Sequence, residues 1–111
     1  MVSAARRVAE LVSRTSVEQF ASDWVIQNGL IRELEIMGEA AGRVSRELAE
    51  THPDIPWREI TGIRHKLIHD YFEVDLEVVW RTATENVPAV LGSLEAVLAA
   101  LEADEASGAA G

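Results

Sequence analysis

The sequence predicts an all-α protein, an antiparallel helical bundle, on three observations. Apolar residues recur at spacings of three and four through long blocks, the period of one helix face. Hydrophobic content is 48% but aromatics only 5%, so the core must be built from Leu, Val, Ile and Ala, which suits helices better than sheets. The one strong break, Thr51-His52-Pro53-Asp54-Ile55-Pro56, carries two prolines within four residues, so helices lie on both sides of it. No strand pattern, internal repeat or glycine-rich phosphate loop is visible. At 111 residues the chain is one domain with a modest core.

The first helix spans residues 3–14, with Ala5, Val8, Ala9, Leu11 and Val12 on its apolar stripe. Thr15-Ser16 stops and restarts the chain, and Ser16 can cap a short turn over residues 17–20. Asp23 is the expected N-cap of the longest helix. There Leu30, Ile31, Leu34, Met37, Ala41, Val44 and Leu48 share one face, which carries the helix through Leu48. On its outer face Arg32 pairs with Glu35 and Arg43 with Glu47. Gly38 and Gly42 each cost about 1 kcal/mol relative to alanine, so a pair of them four apart points to close approach of another helix.

After the proline break, Asp54 is a candidate cap and Pro56 suits a first helical turn. The third helix then runs over residues 57–72, with Ile60, Ile63, Leu67 and Tyr71 on one stripe. Val74-Asp75 introduces a last helix over residues 76–101, which Pro88 should kink or divide. Its stripe is Val79, Trp80, Val87, Val90, Leu91, Leu94, Val97, Leu98 and Leu101. The helical domain is thus 1–101, and 102–111 is a small-residue acidic tail expected to be disordered. The apolar surface exceeds what so short a chain can bury, and with the glycine pair it predicts a homodimer.

Composition narrows the function. Without cysteine there is neither a disulfide nor a thiolate metal site. Residues 1–9 lack the apolar run of a signal peptide, and no stretch reaches about 20 uninterrupted apolar residues. The expectation is a cytoplasmic protein with no membrane partner. A net charge of −9 argues against nucleic-acid binding over a broad basic surface. Charge is uneven, however. Residues 57–71 hold three Arg or Lys, two acids and two of the three histidines, so any contact with RNA is confined to a small site.

That segment contains Arg64-His65-Lys66-Leu67-Ile68-His69-Asp70-Tyr71. Arginine binds phosphate as a rigid, permanently charged fork, and histidine exchanges protons near neutral pH. Together they suit phosphodiester cleavage, although a half-solvated helix would look the same. His65 and His69 have the i,i+4 spacing of metal ligands, but no glutamate follows the first and no third ligand is evident, so no metal or other cofactor is expected. Arg64 and His69 are five apart, about 140° around an ideal helix. Three explanations stay open: an irregular helix, a long arginine wrapping around it, or a site completed by a second copy. Trp24, Trp57 and Trp80 read as packing anchors and His52 as a solvated loop residue.

The ordered blocks resemble the HepT-like branch of the HEPN superfamily. Arg-x4-His-x-Tyr (64–71) follows Ile55-Pro56-Trp57-Arg58-Glu59-Ile60-x-Gly62, with Leu34-Glu35-Ile36-Met37-Gly38-Glu39-Ala40-Ala41 upstream. Downstream stands Tyr71-Phe72-x-Val74-Asp75-Leu76-x-x-Val79-Trp80. The resemblance covers residues 8–98 and implies an all-α, dimeric, metal-independent ribonuclease. Such a protein acts as a toxin beside a minimal nucleotidyltransferase antitoxin of the MntA type. It implies Arg64 and His69 as the catalytic pair, facing a cleft between two protomers. His65 then takes the polar position after the arginine, where the family often has asparagine or aspartate, and Lys66 supports it. Tyr71 matches the tyrosine that the antitoxin modifies with AMP. The substrate implied is RNA, tRNA or mRNA, cut by attack of its own 2′-hydroxyl. The alternative is a non-catalytic module of the same fold that binds a nucleotide or docks a nucleotidyltransferase.

Overall fold

A computed structural model of the chain describes residues 1–69 and 73–110, with the side chains of 1–68 and 73–106. The chain is almost wholly helical, as its composition predicts. Helix α1 (Val2–Ser13) buries Ala4, Ala5 and Val8 against α3 (Trp24–Gly42) and α8 (Val87–Ala110). Small side chains on that face let the three helices approach closely. Arg7 and Glu33 (2.9 Å) tie α1 to α3, and Arg6 and Glu95 (3.1 Å) tie it to α8. Helix α2 (Val17–Ser22) begins at a full capping box. Ser16 Oγ accepts from the Gln19 N–H while Gln19 Oε1 accepts from the Ser16 N–H. Its Phe20 is buried, with its ring centroid 5.0 Å from that of Trp80.

Helix α3 (Trp24–Gly42) starts where expected, with Asp23 accepting from the N–H groups of Val25 and Ile26. Leu30, Leu34, Met37 and Ala41 form its buried stripe. The helix does not run on to Leu48. It ends at Gly42, and Ser45 caps a separate short helix α4 (Arg46–Thr51) by accepting from the Leu48 N–H. The expected outer-face pairs change accordingly. Arg43 turns back to Glu39 at 2.9 Å instead of reaching Glu47, and Arg32 makes no ion pair among the described residues. Trp24 is exposed and anchors nothing, whereas Trp57 and Trp80 pack on the core.

Across the proline break, the Trp57 indole N–H donates to the His52 carbonyl at 2.9 Å. Pro56, not Asp54, occupies the N-cap of α5 (Trp57–Thr61), and no side chain caps it. Gly62 separates α5 from α6 (Ile63–Leu67). The single helix expected to reach residue 72 is thus two short ones that stop at Leu67. Beyond it the backbone is extended. Strand β1 (Ile68–His69) pairs antiparallel with β2 (Glu73–Val74), Ile68 opposite Val74 and His69 opposite Glu73. The Asp75 N–H donates to the Leu67 carbonyl at 2.8 Å, so an orphan carbonyl at the helix end is satisfied across the ribbon. The absence of strand expected from the sequence is corrected to this one ribbon. Tyr71, whose stripe position was predicted, lies outside the described residues together with Asp70 and Phe72.

Asp75 then caps α7 (Leu76–Arg81), accepting from the Val78 N–H. The break expected at Pro88 is present just before it. Residues Thr82–Asn86 form a π-helical turn that leads into α8 (Val87–Ala110). Proline in a regular helix would press its ring against the carbonyl four residues earlier, and the wider turn relieves that crowding. Val79, Ala83, Val87, Leu94 and Val97 still reach the core. Helix α8 runs to Ala110, and side chains 102–106 are exposed. Residues 76–106 are long and apolar enough to cross a membrane by length and composition. Only 17% of their most apolar 18-residue window is buried.

Candidate functional site

The site is shaped by a close approach. Gly38 and Gly42 lie on the face of α3 that meets α5. A Cβ at Gly38 would stand 3.0 Å from the Ile60 carbonyl oxygen, and one at Gly42 would stand 3.5 Å from Thr61 Cγ2. Glycine at 38 therefore lets the α5 backbone lie directly on α3, which is the close approach predicted for this pair. Next to that contact α6 packs on α3 and α7 through buried Ile63 and Leu67.

Arg64, His65 and Lys66 fill the last turn of α6 and are all exposed. Cations there complement the negative end of the helix. They do not point to one place. Arg64 faces a groove of about 580 Å³ between α3 and α6, together with Arg32, Glu35, Glu39, Arg43 and Thr61. Lys66 faces a different, mostly apolar groove of about 330 Å³ that includes Met37, Ile60, Ile63, Thr82 and Val87. The divergence follows from the roughly 200° that separates i and i+2 on a helix. Lys66 is thus not gathered with Arg64.

His69 stands in β1, so it does not share a helix face with His65, and the predicted i,i+4 geometry is absent. Arg64 and His69 are related by a change of backbone period rather than by a turn of helix. The helix ends at Leu67, between the two, so the backbone there is irregular. The His69 side chain and all of Tyr71 lie outside the described residues. No three His, Asp or Glu side chains gather among the described residues as a metal site would need. His52 lies in the break, partly exposed, its carbonyl taken up by Trp57.

Arg32, Arg43 and Thr61 are members of the Arg64 groove that the motif itself does not single out. The available signal is their helical phase. Arg32, Glu35, Glu39, Gly42 and Arg43 follow one another at spacings that keep them on one side of α3, the side on which Gly38 and Gly42 admit α5. Taken as outer-face ion pairs, they resemble solvated surface.

The family model described as "Ribonuclease HepT-like" matches residues 1–97. A protein of Thermococcus cleftensis named "probable ribonuclease HepT" is 41% identical over 88 residues, covering 79% of this chain and 80% of its own. A protein of Caldanaerobacter subterraneus subsp. tengcongensis, provisionally named as an RNase, is 38% identical over 89 residues, covering 80% of each chain. One of Methanocaldococcus jannaschii, named in the same provisional way, is 39% identical over 85 residues, 77% of this chain and 73% of its own. No solved structure matches. A helical protein that presents an arginine-lined groove is the class that fold and site define. The chain belongs to the HepT-like ribonuclease family.

Proposed function

We propose that the protein is a metal-independent endoribonuclease, the toxin of a toxin–antitoxin pair. The observation that carries this reading is the exposure of Arg64 in an arginine-lined groove, close in sequence to His69, within a chain of a ribonuclease family. The RNA 2′-hydroxyl attacks the adjacent phosphorus, and the bond from phosphorus to the 5′-oxygen breaks. His69 moves a proton at the attacking or the leaving oxygen, a role typically worth 10²–10⁴-fold. Arg64 stabilises the charge that builds on the phosphorane oxygens. The products are a 2′,3′-cyclic phosphate and a 5′-hydroxyl. DNA, lacking the nucleophile, should resist. His65 lies beside Arg64 in sequence as a polar support.

The working form is a homodimer, which supplies a second wall to the site. Support comes from α8. Leu101 is 44% exposed, and an apolar groove of Val44, Leu48, Trp57, Leu94, Leu98 and Leu101 is open to solvent. Regulation is by a nucleotidyltransferase antitoxin. The Tyr71 hydroxyl attacks the α-phosphate of ATP, the tyrosyl oxygen–phosphorus bond forms, and pyrophosphate leaves. The attached phosphate then pairs with cations that precede Tyr71 in the sequence and repels incoming RNA.

The deciding experiment incubates purified protein with total tRNA and with mRNA, beside Arg64→Ala and His69→Ala variants, with and without EDTA. Cleavage that survives EDTA, is lost in both variants and leaves cyclic-phosphate ends is the expected result. Absence of any cleavage would favour the non-catalytic module. Loss on chelation with recovery on zinc would favour a metal enzyme.

A further inference from the structure

The groove that holds Arg64 is longer than one phosphate needs. Arg32 on α3 and Arg43, the residue that caps its C-terminal end, are eleven positions apart, about 16 Å along the helix axis. α5 and α6 meet α3 between them, at Gly38 and Gly42, and Arg64 enters the groove from that side. Three arginines and two glutamates line it, a balance of +1 on a chain whose net charge is −9. Among the described residues neither Arg32 nor Arg64 makes an ion pair, and Arg43 pairs only with Glu39, at 2.9 Å and with both side chains well exposed. Such a pair exchanges readily for a phosphate.

We propose that this groove is the track for a single RNA strand, with Arg32 and Arg43 gripping phosphates that flank the one held at Arg64. The inference rests on the ribonuclease reading and extends it, because it sets the length of chain recognised. A mononucleotide or a dinucleotide cannot span from Arg32 to Arg43, whereas an oligonucleotide can. Arg32 and Arg43 are binding residues, since neither needs to meet the reacting phosphorus. Glu39 acts as a counter-charge that holds Arg43 in place until RNA displaces it.

The probe is a single-stranded 2′-O-methyl oligoribonucleotide of about twelve residues, which cannot be cut because its 2′-oxygens are blocked. Its affinity for the wild-type protein and for Arg32→Ala, Arg43→Ala and the double variant is measured over a range of salt. Each arginine lost should weaken binding by roughly three- to tenfold and flatten the salt slope by about 0.7, so the double variant should lose about 1.4. Glu39→Gln, which releases Arg43, should bind more tightly than wild type, an effect that loss of folding cannot imitate. With cleavable RNA the double variant should raise KM. If wild type cuts RNA but the double variant keeps its slope and KM, the track is wrong and the ribonuclease reading stands. The track is equally wrong if the double variant instead weakens self-association, since the groove would then be a protein contact. If wild type neither cuts RNA nor binds the probe, both readings fall together.

Discussion

Arg64 and Leu67 sit three residues apart on one short helix and fail in different ways when truncated. Arg64 is exposed and unpaired among the described residues, so Arg64→Ala should leave thermal unfolding unchanged while lowering RNA cleavage by about 10²–10³-fold. Leu67 is 1% exposed, and Leu67→Ala should cost about 2–5 kcal/mol. Denaturant titration beside a cleavage assay separates the two: the first variant melts normally and is inactive, and the second loses activity only with its fold. At Tyr71 the expected outcome is regulatory. Tyr71→Phe should still cut RNA but accept no AMP from a cognate nucleotidyltransferase and ATP. Intact-mass measurement of wild type and variant after that incubation decides it. Full neutralisation without any adduct on wild type would mean that the antitoxin acts by docking alone.

At the scale of elements, the contact of α3 with α5 carries the sharpest expectation. Gly38→Ala puts a methyl 3.0 Å from a backbone carbonyl, which has no flexible end to move aside. Overpacking of this kind costs about 1–3 kcal/mol, and equilibrium unfolding should show it. Gly42→Ala meets only a methyl at 3.5 Å and should be nearly neutral or slightly stabilising. Where the sequence is legible, the determinants are local. Ser16, Asp23 and Asp75 announce helix starts through side chains that bond the next turn. Gly38 and Gly42 announce a close approach because nothing else explains glycine there. The end of α6 is not legible, because the apolar stripe of Ile60, Ile63 and Leu67 continues in phase to Tyr71. The stop depends on an Asp75 N–H that arrives from eight residues ahead. The break before α4 does leave a trace, since Gly42 followed by Ser45 is a stop-and-cap pattern. The run of apolar residues through Val44 and Leu48 conceals it. Arg32 and Arg43 are visible in the sequence only as charges on a helix, and their shared groove with Arg64 is a tertiary fact.

For the whole molecule, the question is what covers α8. An apolar 18-residue window that is only 17% buried is a poor surface for an isolated chain. Light scattering at micromolar concentration should report two chains, and the melting temperature should rise with protein concentration, as mass action requires of a dimer. Leu101→Glu, at a position already 44% exposed, should shift the mass toward one chain without unfolding it. A monomer at micromolar concentration with a concentration-independent melt would remove the dimer from the proposal.

The segment from Trp57 to His69 rides on two five-residue helices and a two-residue strand, elements too short to hold shape by themselves. The shape of α5 and α6 is borrowed from α3 through the close approach at Gly38. On the proposed toxin role, survivors among cells forced to grow against the unrestrained protein should therefore not map to Arg64 and His69 alone. Replacements at Gly38, from any codon change that adds a side chain, should recur among them. The map of escape would then draw the support of the site as clearly as the site itself.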